Sequence, residues 1–237
     1  VGQNVWGPKP QRRVMSDNHW KQPLRWNREA EGLEERPRVF CASMADVFED
    51  RDELVPHRAR LFELIEQTPN LDWLLLTKRP QNVARMAPWR HDWPENVWLG
   101  TTIEMQHRAE ELLPYLEAIP AKVRFISAEP LLGPLLIEPW LGKTIDWVIT
   151  GGESGPKARP ASPEWFRSLH AQCMENEVAF HFKQWGDWAP GQGENLPAHR
   201  MKRAQDGTEM FRVGKKAAGR TLDGYQHDGL PRVHRSG

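Results

Sequence analysis

The sequence predicts an α/β protein built as a partial parallel (β/α) barrel, TIM-barrel-like, with six visible strands. Two observations lead there. Six short apolar runs recur along the chain, their ends roughly 23 to 34 residues apart, the length of one strand–crossover unit. Each run stops at a polar cluster of charged, hydroxyl-bearing or glycine residues. Short continuous apolar runs read as strands buried on both faces, as in parallel sheets. Parallel strands have their C-terminal ends on one face, where barrels and open α/β sheets place their sites. The polar clusters are therefore expected to converge on one mouth.

Taken in order, residues 1–37 are polar and basic with little periodicity, an N-terminal wrap in which Trp20 to Trp26 fits a short helix or irregular chain. The first strand is Val39-Phe40-Cys41-Ala42, ending at Ser43 and Asp46. A helix follows over 53–67, with Val55, Ala59, Phe62 and Ile65 near a 3.6-residue period. Trp73-Leu74-Leu75-Leu76 runs into Thr77-Lys78-Arg79, and Val97-Trp98-Leu99 into Gly100-Thr101-Thr102-Ile103-Glu104. Residues 105–118 read as a helix that Pro114 kinks or restarts. Val123-Arg124-Phe125-Ile126 leads to Ser127-Ala128-Glu129, and residues 130–144, rich in Pro and Gly, to a structured loop. Trp147-Val148-Ile149-Thr150 ends at Gly151-Gly152-Glu153. Residues 162–177 form the clearest helix, with Ser162 as N-cap and Pro163 and Glu164 in the first turn. Ala179-Phe180-His181-Phe182 then meets Lys183-Gln184-Trp185. The barrel core thus spans 38–190. Residues 191–237 carry a hairpin signalled by Asp206-Gly207 and an irregular tail packed on the core.

Composition narrows the classes. With 32 basic and 32 acidic residues the formal charge is zero, so no global attraction to nucleic acid is expected. Two separated cysteines, no apolar stretch near 18 residues and no signal peptide place the chain in the cytoplasm, off the membrane. Nine scattered histidines show no metal-ligand spacing, and no Walker loop or nucleophile elbow is present. The 12 tryptophans cover the core under long loops. Trp185, at a strand end, is the one best placed to stack on a flat ligand.

Several motifs taken together resemble a phage-associated and bacterial family of unassigned function. They are Val39-Phe-Cys-Ala-Ser-Met-Ala-Asp-Val-Phe48, Leu74-Leu-Leu-Thr-Lys-Arg-Pro80, Asn96-Val-Trp-Leu-Gly-Thr-Thr102, Arg124-Phe-Ile-Ser-Ala-Glu-Pro-Leu-Leu-Gly-Pro134, Trp147-Val-Ile-Thr-Gly-Gly-Glu-Ser-Gly-Pro156, Phe182-Lys-Gln-Trp-Gly186 and Val213-Gly-Lys-Lys-Ala-Ala-Gly-Arg220. Complete members look like radical S-adenosylmethionine enzymes, with three cysteines near their start. The resemblance implies S-adenosylmethionine and a 4Fe-4S cluster in a full-length protein. This chain opens at Val1 without that motif, so a first strand with its cysteine loop is expected upstream. Cys41 and Cys173 cannot replace the motif, since ligation needs more thiolates held together. Phage association implies a nucleotide or nucleic acid as possible substrate. Gly151-Gly152-Glu153 resembles the Gly-Gly-Glu element that cradles the cofactor's methionine end. The structural alternative is a tight turn.

The candidate binding residues are the strand-end groups: Ser43, Asp46, Thr77, Lys78, Arg79, Thr101, Glu104, Ser127, Glu129, Gly151, Gly152, Glu153, Lys183, Gln184 and Trp185. Lys78 and Arg79 suit a carboxylate or phosphate, or a salt bridge across the mouth to Glu129 or Asp46. Glu129 suits a general base or hydrogen-bond acceptor and is expected within reach of Lys78 or Arg79. His181 is expected in the core or lining the barrel. The leading expectation is a radical S-adenosylmethionine-like enzyme of unknown substrate. Its rivals are a phosphate-binding barrel enzyme without a cluster and a non-catalytic binding module.

Overall fold

The computed structural model describes residue 12 and residues 14–41, 45–191 and 200–231. All six expected strands form: β1 (Arg38–Cys41), β2 (Asp72–Thr77), β3 (Val97–Thr102), β4 (Arg124–Ala128), β5 (Trp147–Gly151) and β6 (Ala179–Gln184). They make one sheet in the order β1-β2-β3-β4-β5-β6, every neighbouring pair parallel. Strands that follow one another in space as in sequence, joined by right-handed crossovers, put their helices on one side and wind toward a barrel.

The two faces separate by the period of two along each strand. Trp73, Leu75, Val97, Leu99, Ile126, Val148, Phe180 and Phe182 join the main core under the helices. Leu74, Trp98, Phe125, Trp147 and Ile149 form a second apolar cluster on the opposite face. That second face is concave. The rings of Phe40 on β1 and Phe125 on β4 lie 6.2 Å apart although two strands separate them. In a flat sheet the same strands would be about 14 Å apart. Gly100 on β3 permits the closure, because a Cβ there would sit 2.3 Å from the Phe125 ring. The result is an α/β, TIM-barrel-like half-barrel.

The helices follow their apolar stripes. α1 (Asp17–Glu29) is capped by Ser16, whose hydroxyl accepts from the His19 N–H. α2 (Val55–Glu66) buries Leu61, Phe62, Leu64 and Ile65. A one-turn α3 (Val83–Met86) follows β2. α4 (Gln106–Glu117) runs unbroken through Pro114, which the sequence expected to interrupt it. α5 (Pro163–Glu175) buries Phe166, Leu169 and Cys173. Its Gln172 amide accepts from the Ile137 N–H and donates to the Leu135 carbonyl, fixing the loop after β4. Ser162 begins α5 without capping it. Its hydroxyl accepts instead from the N–H groups of Gln205 and Asp206, so it ties the helix to the hairpin.

That hairpin turns at Asp206-Gly207, with Gly207 at φ +84°. Its strands β8 (Met201–Arg203) and β9 (Glu209–Arg212) are joined by β7 (Trp188–Pro190) in an antiparallel sheet ordered β7-β9-β8. A one-turn α6 (Lys215–Ala218) follows. Leu222 is buried, and the chain then returns along β6. The Phe182 N–H donates to the His227 carbonyl and the Gly229 N–H to the Phe180 carbonyl, both at 2.9 Å. The outer edge of β6 is thereby covered.

Candidate functional site

The strand-end groups lie at one end of one sheet, as the parallel register requires: Thr77 beside Thr101, Thr102 beside Ser127, Gly151 beside Gln184. Ser43 falls outside the described residues. The rest divide into groups that face the mouth and groups that build its walls.

Three acid–base pairs ring the mouth. Asp46 accepts from Thr77 Oγ1, the Lys78 N–H and Arg79 Nη1, and its side chain is almost fully covered. Arg79 also approaches Glu49, which is held by both Arg12 Nε and Nη2. The Arg12 guanidinium holds the Glu49 carboxyl below the usual range. Lys78 Nζ donates to Glu104 at 2.8 Å. Lys183 Nζ and Ser127 Oγ both donate to Glu129 Oε2, at 3.1 and 3.2 Å. Glu129 therefore pairs with Lys183, not with Lys78 or Arg79 as the sequence suggested. Strand order explains it. Lys78 follows β2 and meets the group after β3, whereas Glu129 follows β4 and leans the other way, over Gly151. A Cβ on Gly151 would lie 2.8 Å from Glu129 Oε1.

Other expected site residues are wall, not mouth. Thr101 is fully buried, its hydroxyl donating to the Thr77 carbonyl. Trp185 is buried, its indole N–H donates to the Thr221 carbonyl, and its ring packs edge-on against Phe166 and Phe182. Simple alternation would face Trp185 to the cavity, but β6 advances two residues against one between Thr150 and Gly151, and this register shift turns Trp185 to the helix side, where it offers no stacking surface. Gly152 and Gly186 let the turns after β5 and β6 meet backbone to backbone. A Cβ on Gly152 would lie 1.8 Å from the Trp185 carbonyl oxygen, and one on Gly186 2.2 Å from that of Glu153. Gln184 Nε2 donates to the Gly152 carbonyl across the same seam. Glu153 forms a two-pronged pair with Arg159, which holds its carboxyl below the usual range. In this arrangement Gly151-Gly152-Glu153 is a packed turn.

One cavity of about 490 Å³ opens on the concave face, lined by Phe40, Glu129, Trp147, Ile149, His181, Lys183, Asp228 and Leu230. Its floor is apolar and its rim charged, the composition of a small-molecule site. His181 Nδ1 lies 3.6 Å from Asp228 Oδ1, and Asp228 also pairs with Arg220. Burial, then the Arg220 charge, push the His181 imidazole below its ordinary value, while Glu129 pulls it up. His181 follows from the period of two, since Lys183 faces the mouth and the residue two before it must share that face. Asp228 and Leu230 arrive from the tail, and no local pattern marks them.

The described residues do not fit an iron–sulfur cluster. Cys41 lies on edge strand β1, whereas Cys173 lies on α5, which packs near the opposite edge strand β6. Burial pushes both thiols up to about 12, away from the thiolate that iron requires. No three His, Cys, Asp or Glu side chains among the described residues are grouped to hold a metal ion. No described helix is long and apolar enough to cross a membrane.

The chain is thus a parallel half-barrel with a small-molecule-sized cavity on its concave face. The chain belongs to a family of proteins of unknown function, DUF5131, whose model matches residues 2–231. No curated protein matches it. Among solved structures, it is similar to a Parabacteroides merdae β-glucuronidase with glycerol in its active site. The TM-score is 0.36 and the identity 11%, over 87% of this chain and 26% of that one. The fold assignment rests on the strand order and the concave face.

Proposed function

We propose that this chain forms the ligand-binding half-barrel of an enzyme that acts on a small molecule. The ligand lies in the concave cavity, with a flat apolar part against Phe40, Trp147 and Ile149 and a charged end between Glu129 and Lys183. The observation that carries this is the convergence of β4, β5, β6 and the tail on that one cavity. Ligand ammonium and carboxylate groups can exchange for the Glu129–Lys183 contact, because Lys183 is half exposed and its pair carries little stability of its own. His181 supplies an imidazole that can accept a proton from a ligand in the cavity.

The finer proposal is a radical S-adenosylmethionine-like enzyme. The motif resemblance supports it, and the cavity's donor set complements the cofactor's methionine-type ammonium and carboxylate. Its cluster would need ligands other than the described residues. A nucleotide or nucleic-acid substrate rests on the resemblance alone.

Thermal melts with S-adenosylmethionine, methionine and adenosine test the proposal. S-adenosylmethionine is expected to raise the melting temperature. Lys183→Met should weaken that binding by roughly 10- to 100-fold, the value of a charged hydrogen bond. If none of the three compounds shifts the melt, or if Lys183→Met binds as tightly as wild type, the proposal fails.

A further inference from the structure

The cavity has one wall unlike the others. Asp228 and Leu230 belong to a tail segment, whereas the remaining lining residues come from or directly follow strands of the sheet. Residues 223–230 are largely exposed: Asp223, Gly224, Tyr225, Gln226, Asp228 and Leu230 all face solvent. A buried anchor, Leu222, precedes them, followed by a tight turn in which Asp223 and Gly224 adopt positive φ of 52° and 84°. Beyond that turn few contacts hold the segment. They include the two backbone hydrogen bonds to β6, the Leu222–Tyr225 backbone pair, the contact of His227 Nε2 with the Leu222 carbonyl, the Arg167–Asp223 pair, the Asp228 contacts with Arg220 and His181, and the packing of His227 on α5 and β6. Segments with few buried contacts open at low free energy while the rest of a protein stays folded.

The packing of His227 sets it directly against a second histidine. The His170 and His227 rings meet edge to face with centroids 4.4 Å apart, and both lie against Phe180, at 5.0 and 5.7 Å. Two neutral imidazoles make a favourable aromatic contact there. Two imidazolium rings would repel at the same distance. We propose that residues 223–230 are a gate on the cavity, latched by the His170–His227 contact and released in mildly acidic solution. This regulates the site proposed above. The mechanics of the gate do not depend on which ligand that site holds.

The charges around the latch fix its direction. His170 faces His227 and Asp223 from the tail, Arg167 on its own helix and Phe180 on β6. Burial, then the His227 charge, lower its imidazole below the ordinary 6.5, while Asp223 opposes them. A histidine depressed in the docked state gains protons on release. Docking is therefore fully favourable above about pH 6.5 and weakens as the pH falls below it. Between the gate and the cavity, His181 faces Asp228, Arg220, Glu129, Lys183 and Trp147, and burial lowers it too, in the same sense. Asp223 is held by Arg167 below its ordinary 3.8, so that tether persists throughout the window in which His170 and His181 take up protons.

Release would withdraw Asp228 and Leu230 from the cavity, leave His181 without its carboxylate partner and uncover the edge of β6. Hydrogen exchange at pH 7.5 and 5.5, corrected for intrinsic rates, reads it directly on the ligand-free chain. Protection over residues 223–230 and at Phe182 is expected to fall about threefold or more at the lower pH, while β2 to β4 are unchanged. His170→Phe keeps the ring contact and removes the charge, and should cut the response to the part that His181 carries. His227→Phe removes the charge that opposes His170 and should shrink the response less, because burial still lowers His170, which guards against one variant misfolding. Gly229→Ala sets the level of the released segment, since its Cβ would lie 2.6 Å from the Phe180 carbonyl oxygen. Equal protection at both pH values in wild type, or a response undiminished in both histidine variants, overturns the gate. Either result leaves ligand binding to the cavity to be judged by the melts.

Discussion

Glu129 shows at the scale of one residue what sequence could and could not say. Its place at a strand end put it at the mouth, and it is there. Its partner depended on which neighbouring strand it leans toward, which no local pattern encodes. Because Lys183 is half exposed, their pair is a solvent-screened one. Glu129→Gln should therefore cost only about 0–1 kcal/mol in a denaturant melt. Ligand affinity should fall by a larger factor, because a charged acceptor is lost from the cavity. Gly152 is the opposite case. The Gly-Gly-Glu run resembled a cofactor cradle, yet the second glycine is required by a backbone 1.8 Å from where its Cβ would be. Gly152→Ala should destabilise the fold by about 3 kcal/mol or more. Gly133→Ala, where a Cβ meets nothing within 4 Å, should change stability by less than about 1 kcal/mol. Comparable losses for the two variants would contradict the packed seam.

Among the elements, the strands were the most legible, because a strand buried on both faces must be a continuous apolar run. The amphipathic helices α2, α4 and α5 followed from their period. Proline in α4 misled, since tertiary packing of Leu112, Leu113 and Leu116 holds the helix together across the missing N–H. Ser162 misled differently, because a hairpin 43 residues further on takes its hydroxyl. β6 illustrates what alternation offers: Phe180 and Phe182 fill the helix side, while His181 and Lys183 line the cavity. The turn after β5 carries a pH prediction. Glu153 is depressed chiefly by its hydrogen bonds with Arg159, so its contribution is full above its ordinary 4.5 and disappears as the pH falls through the depressed value. Arg159 is mostly exposed, which limits the effect to about 0.5–1 kcal/mol. Acid titration of stability should show a shallower loss below pH 4.5 in Glu153→Gln than in wild type. Parallel curves would mean that the pair does not hold the turn.

For the whole molecule, the sixfold rhythm carried the architecture, because crossover length and strand burial are local properties summed along the chain. The cavity was less legible. Its floor, from Phe40 to Trp147, exists only because the sheet curls until β1 and β4 approach, and its outer wall comes from a tail with no periodic signal. The charged rim was visible residue by residue, but its pairing required the strand order. A crystallographic fragment screen with amino acids, nucleosides and sugar phosphates distinguishes ligand binding in this concave cavity from binding on the outer helical face. Density is expected to concentrate among Phe40, Glu129, Trp147, His181 and Lys183. Fragments that cluster elsewhere while that cavity stays empty would contradict binding there.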